Sequence, residues 1–274
     1  MIPPRYLPVF RWFAGTLCVV LMALAAPAGA AGFALAISPP RFEIEIKPGD
    51  RVRQVLEINN AADSPNSFKV KTADWSLAPD GSVLFEEALV SGSCRPWVAL
   101  ERRNVTVPAR RPYRYRFEIT VPADTKPTEC RFALLLEGED QAATTGALSI
   151  PYNARLAVIV YAAVGAVEPK IEIVTTSVQM LNGKFSAVLR VKNTGTAHGR
   201  LSGFLSGTDA SNTALEFTPT PSPILAGETR DIALVASRPG DPDTSVQPTF
   251  PVTVRGKLEW GKNDSQALEQ RFAQ

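Results

Sequence analysis

The sequence predicts an all-β chain, two β-sandwiches in tandem behind a removable leader, and three observations carry that prediction. Apolar and polar residues alternate with period 2 over many short runs, placing one face of each run in a core and the other in water. Clusters of proline, glycine and aspartate cut the runs at short intervals, as turns do. The pattern also restarts after Gly165-Ala166-Val167-Glu168-Pro169. Two sandwiches of about 100 to 130 residues each fit the length, and one large β domain is the simpler alternative.

The leader comes first. Residues 1–30 carry Arg5 and Arg11, then small and apolar residues from Ala14 to Ala26, then Ala28-Gly29-Ala30. That order matches a signal peptide with a small-residue cleavage site, and the apolar run is short for a bilayer span. Cys18 lies inside the run and is read as a small hydrophobe that is removed. Cleavage after Ala30 takes two arginines and no acidic residue, so the product has balanced charge, no stable membrane anchor and an extracytoplasmic address. Two cysteines remain, Cys94 and Cys130. An oxidising compartment favours their disulfide, with two separate buried thiols as the other reading.

The strands follow in order. Phe42-Glu43-Ile44-Glu45-Ile46 alternates strictly, and Val52 to Ile58 does so with one slip. Phe68 to Lys71, Tyr113 to Ile119 and Leu148 to Tyr152 repeat the pattern. Lys47-Pro48-Gly49-Asp50, Ala78-Pro79-Asp80-Gly81 and Val121-Pro122-Ala123-Asp124 are turns, because proline sets φ and glycine or aspartate accepts the turn conformations. Beyond residue 170, Ile171-Glu172-Ile173, Ala187 to Val191, Ile224 to Ala236 and Val252 to Trp260 supply a second set. An internal echo links the halves. Leu56-Glu57-Ile58-Asn59-Asn60-Ala61 parallels Leu189-Arg190-Val191-Lys192-Asn193-Thr194, and Val105-Thr106-Val107-Pro108 parallels Pro223-Ile224-Leu225-Ala226. The units are drawn as 1–30, 31–165 and 166–274.

The order of leader, Ala36-Ile37-Ser38-Pro39-Pro40-Arg41-Phe42, a Pro-Gly turn, Leu56-Glu57-Ile58-Asn59-Asn60 and a long strand from Leu148 to Val164 resembles a known family. It is similar to the periplasmic pilus-assembly chaperones of the chaperone–usher pathway, over residues 34–165 and in layout beyond them. The resemblance implies two immunoglobulin-like domains and no enzymatic activity or cofactor. Its expected partners are pilus or fimbrial subunits and an outer-membrane usher. It also implies that the last strand of the first domain lends an apolar row to an unfinished subunit. The matching row here is Leu148, Ile150 and Tyr152, with Leu156 and Val158 further along; inward packing is the alternative reading. Pro151 favours an edge strand, since proline cannot donate to a central ladder. Two basic residues of the family hold the subunit's C-terminal carboxylate. Arg41 stands in one matching place and Arg155 is the nearest basic residue to the other, unless both sit on a solvated strand face.

Other chemistry finds little support. No glycine-rich phosphate loop follows a strand, and no nucleophile elbow occurs. His198, the single histidine, lies in the turn-like Gly195-Thr196-Ala197-His198-Gly199 without a second ligand at metal spacing. Glu137-Gly138-Glu139-Asp140 and Asp241-Pro242-Asp243 match no dedicated calcium loop. Arg102-Arg103 and Arg110-Arg111 beside Tyr113 and Tyr115 are diluted by Glu101 and Glu118, so no nucleic-acid partner is expected. The rival function is a secreted two-domain module that binds a surface polysaccharide or protein; a hydrolase is a third class.

Overall fold

A computed structural model describes residues 35–138, 141–145, 148–152 and 154–274. The leader, 1–30, and its cleavage site lie outside the described residues. The chain is all-β. In order the strands are β1 (Leu35–Ser38), β2 (Arg41–Ile46), β3 (Arg51–Asn60), β4 (Asn66–Leu77), β5 (Val83–Glu86), β6 (Val98–Leu100), β7 (Asn104–Val107), β8 (Pro112–Thr120), β9 (Thr128–Gly138), β10 (Gln141–Thr145), β11 (Leu148–Tyr152) and β12 (Arg155–Val164). There follow β13 (Ile171–Leu181), β14 (Lys184–Asn193), β15 (Leu205–Thr208), β16 (Ala214–Pro219), β17 (Thr229–Arg238), β18 (Asp241–Ser245), β19 (Val252–Trp260) and β20 (Asp264–Phe272).

The first sandwich packs the sheet β1-β3-β8-β6 on the sheet β2-β12-β9-β4-β5, with β7 added on β4. Pro39-Pro40 separates β1 from β2, which belong to opposite sheets, because neither proline can donate to a ladder. The alternation in β2 buries Phe42, Ile44 and Ile46 and exposes the residues between them. From the facing sheet come Tyr115, Phe117 and Ile119. Phe117 stands edge-on between Phe42 and Phe132, with ring centroids 5.2 and 6.3 Å away, the geometry that aromatic quadrupoles favour. Gly49 adopts φ +84° at the third position of its turn, where a Cβ would be strained, and the Asp50 N–H closes the turn on the Lys47 carbonyl at 3.1 Å. Cys94 and Cys130 form a disulfide with Cα atoms 5.9 Å apart.

The second sandwich is one continuous sheet, β13-β14-β17-β16-β15-β19-β20, with β18 on β17, folded over its own core. Ile171, Leu189, Val191, Phe217, Ile232, Val254 and Phe272 are among the buried residues of that core. The sequence echo has a physical basis. Asn60 and Asn193 are both buried at the ends of equivalent strands. Each side-chain amide donates to a distant carbonyl, Asn60 to Val107 at 3.2 Å and Asn193 to Ile224 at 2.9 Å. Their oxygens accept the N–H two residues on, from Ala62 and Gly195. A buried amide with all these bonds satisfied ties a strand end to its turn in both halves.

Candidate functional site

Pairing along β12 defines one feature of the site. It pairs antiparallel with β9 from Arg155 to Val164. On its other edge the parallel strand β2 covers only Ile159 to Val164, because β2 begins at Arg41 opposite Ile159. Upstream, β11 pairs with β10 alone as a two-stranded hairpin. Among the described residues, then, no strand lies on the outer edge of Leu148–Tyr152 or of Arg155–Val158. Such an edge presents free N–H and C=O groups, a template for strand addition.

The row read from the sequence divides at this point. Leu148, Ile150 and Tyr152 lie on β11, and their side chains lie outside the described residues. Val158 is fully buried in the core of the first sandwich and Leu156 packs against that core. The inward reading therefore holds for those two. The same period-2 alternation that puts Val160, Ala162 and Val164 inside also puts Val158 there.

The second feature is the cleft between the sandwiches, about 680 Å³ in volume. Arg41 lines it, as do Glu43 and Tyr161 from the first sandwich and His198, Arg200 and Lys262 from the second. Arg155 does not line it. Its register partner is Glu137, and its guanidinium is held by Glu137 and by Glu87 at 3.0 Å. It also lies four residues before Ile159, the partner of Arg41, or about 13 Å along a strand. The cationic side chain nearest Arg41's carboxylate partner is instead Arg200, from the loop between β14 and β15.

A chain of contacts joins the two sandwiches here. The His198 ring stacks on Tyr161 with centroids 3.6 Å apart. His198 Nδ1 lies 2.5 Å from Glu129 Oε2, and the same oxygen accepts the His198 backbone N–H at 2.9 Å. Arg200 Nη1 lies 3.0 Å from His198 Nε2, so Nε2 accepts and Nδ1 carries the proton donated to Glu129. Arg200 also donates to the Tyr161 hydroxyl at 3.3 Å. Leu225 from the second sandwich completes an apolar cluster with Trp75, Leu135 and Tyr161 on the outer face of the first. Burial raises the Tyr161 phenol above its ordinary range, against the pull of Arg200. Glu129, His198 and Arg200 escape sequence reasoning because their partners are many residues away, 69 between Glu129 and His198. The histidine's rarity in the chain was the one available signal.

A third cluster braces the first sandwich. Arg95 is largely buried, donates to Asp74 at 3.1 Å and to the Thr72 carbonyl at 2.6 Å, and reaches the carbonyls of Glu87 and Ala88. With the neighbouring disulfide it fixes the segment after β5 at two points. Among the described residues no cluster of histidine, cysteine and carboxylate side chains could hold a metal, and no helix is long and apolar enough to cross a membrane.

No family model and no curated protein matches the chain. Solved structures do. The class 5 fimbriae chaperone CfaA overlaps at 14% identity, covering 88% of this chain and 99% of its own, with TM-score 0.46. A chain in the complex of the Salmonella enterica SafA pilin with the SafB chaperone overlaps at 11% identity, 87% and 97% coverage and TM-score 0.45. The CsuC–CsuE chaperone–tip adhesion subunit complex from the chaperone–usher Csu pili of Acinetobacter baumannii gives 13%, 87%, 98% and 0.43. All three TM-scores lie below 0.5.

Proposed function

We propose that this chain is a periplasmic chaperone that holds a subunit of a surface fibre by adding a strand to it. It works after removal of residues 1–30, with units 31–165 and 166–274, and without catalysis. The observation that carries this reading is the one-sided pairing of β11 and of β12 up to Val158. An incomplete subunit docks its open sheet on that edge, and main-chain hydrogen bonds supply generic affinity. Leu148, Ile150 and Tyr152 enter the subunit's unfinished core, each contributing about 1.5–3 kcal/mol. The edge ends beside Arg41, which takes the subunit's terminal carboxylate. No nucleotide is needed, because completion of the partner's sheet supplies the free energy and exchange with the next subunit, at an outer-membrane usher, releases it.

A photo-crosslinking amino acid at position 150, in the protein's own host, tests the reading. A small secreted polypeptide should crosslink, and Ile150→Asp should abolish its accumulation in the periplasm. An unlinked chain, or undiminished accumulation with Ile150→Asp, overturns the reading. A purified protein that instead labels a glycan array would place it among secreted binding modules.

A further inference from the structure

Among the described residues, the ion pairs between the sandwiches all run one way. Carboxylates of the first sandwich, Glu43, Glu45 and Glu129, meet Arg200, Lys262 and His198 of the second. Glu45–Lys262 is exposed on both sides, and Glu43 is half-exposed. Only His198–Glu129 is sealed on both sides, so the one titratable ring of the joint sits where water screens it least.

Charged groups from four elements face that ring. From β9, Glu129 takes the Nδ1 proton at 2.5 Å, and Arg131 stands 4.0 Å from the other Glu129 oxygen. From β12, the Tyr161 ring stacks on the imidazole. From β2, Glu43 Oε1 lies 3.7 Å from Nε2 and accepts from Arg41 Nε at 2.8 Å. From the histidine's own loop, Arg200 Nη1 donates to Nε2 at 3.0 Å and to the same Glu43 oxygen at 2.8 Å. Its guanidinium also faces the Tyr161 ring, 5.4 Å from the centroid. Glu45, Glu168, Lys262 and Asp264 line the rest of the cleft.

Arg200 and a charged His198 cannot share this geometry. A proton on Nε2 turns the acceptor that holds Arg200 into a donor, and sets two cations donor to donor at 3.0 Å. The same two cations compete for one carboxylate oxygen and one aromatic ring. Glu43 stays ionised through that change: burial acts to raise its carboxyl, but Arg200, His198 and Arg41 outweigh it and hold it below its ordinary value.

We infer that His198 is a two-position latch between the sandwiches, worked by a proton at Nε2. With the ring neutral, Arg200 holds Glu43 and the Tyr161 hydroxyl. With the ring charged, Nε2–H donates to Glu43, Nδ1–H keeps Glu129, and Arg200 leaves its seat for the solvent of the cleft. The proton comes from water and no bond between heavy atoms changes. Acid thus replaces an arginine tie by an imidazolium tie and adds one positive charge to the cleft. The stack on Tyr161 keeps the ring in place in both positions, because a tyrosine face also attracts a cation. The latch belongs to the joint itself and stands whether or not the chain captures a subunit.

The test is an NMR titration of the untagged protein from about pH 8 to about pH 5, the range in which histidines change charge. The single histidine gives one imidazole Hε1 resonance. The Arg200 Nε–H resonance, assigned with Arg200→Lys, should move with the same midpoint and lose its heteronuclear NOE below it. In His198→Asn it should stay still over the whole range. Arg200→Ala should raise the imidazole midpoint and Glu43→Gln should lower it, each by about half a pH unit or more. An imidazole that titrates while the Arg200 resonance stays fixed overturns the latch. So does a ring whose charge does not change over the range, or a midpoint that moves the same way in both variants.

Discussion

Two neighbouring stretches, Leu148–Tyr152 with Arg155–Val158 and Ile159–Val164, follow each other in sequence yet differ in what lies beside them. From Ile159 onward the strand has β9 on one edge and β2 on the other. Its side chains Val160, Ala162 and Val164 are fully buried. Above Ile159 the outer edge has no strand among the described residues, although Val158 still points into the core. Openness of an edge and burial of a face are thus separate properties. A neighbour's length sets the first, and the strand's own alternation sets the second.

The largest test of that contrast substitutes an aspartate on each half. Val160→Asp should unfold the first sandwich, costing more than about 4 kcal/mol, because an unpaired carboxylate would replace a valine sealed in the core. Ile150→Asp should change stability by less than about 1 kcal/mol while abolishing partner capture. Denaturant titration beside the crosslinking readout checks both, and similar stability losses would erase the distinction.

The neighbour of the sealed half is tied covalently, since Cys130, the register partner of Ala162 on β9, is bonded to Cys94. Cys130→Ser should remove about 2–4 kcal/mol, the range for a disulfide closing a loop of this order. Guanidinium unfolding under non-reducing conditions measures it, and loss of the midpoint difference after reduction of the parent confirms the source.

The facing sheet gives a pH signature. Burial pushes the Tyr115 phenol up from 10 to about 12, and its hydroxyl donates to the Arg102 carbonyl at 2.8 Å, a bond only the protonated form makes. The folded state therefore holds a proton that the unfolded chain releases near pH 10. Stability from this residue is whole below pH 10 and falls by about 2–3 kcal/mol as pH rises toward 12. Tyr115→Phe should flatten that fall in denaturation series at stepped pH, and an unchanged slope would assign it to other groups.

The smallest effect sharpens the comparison between the arginines. Arg155→Ala removes half-exposed ion pairs with Glu87 and Glu137 and should cost less than about 1 kcal/mol. Partner capture should persist with Arg155→Ala and weaken with Arg41→Ala. The reverse order would return the anchor to Arg155.

The strands were legible from sequence because each needs only its own alternation: Phe42, Ile44 and Ile46 lie inward where the period puts them. The turn at Gly49 was legible because proline fixes φ and glycine accepts a positive φ without strain. The cleft was not. His198 reads as a turn residue until its partner Glu129 is brought beside it, and Arg200 reads as a solvated charge until Glu43 and Tyr161 surround it. Arg155 illustrates the opposite error. Sequence distance placed it near the long strand's basic position, whereas Glu137 across the ladder and Glu87 from the segment after β5 hold it there.

By itself, the sequence determined the β character, the inward faces and the turns, because period and φ preference act over a few residues. Only the tertiary structure decided which edge stays open and which cations share a carboxylate. Those depend on where β2 begins relative to β12 and on how a loop of the second sandwich meets the first, and no local run of residues encodes either distance.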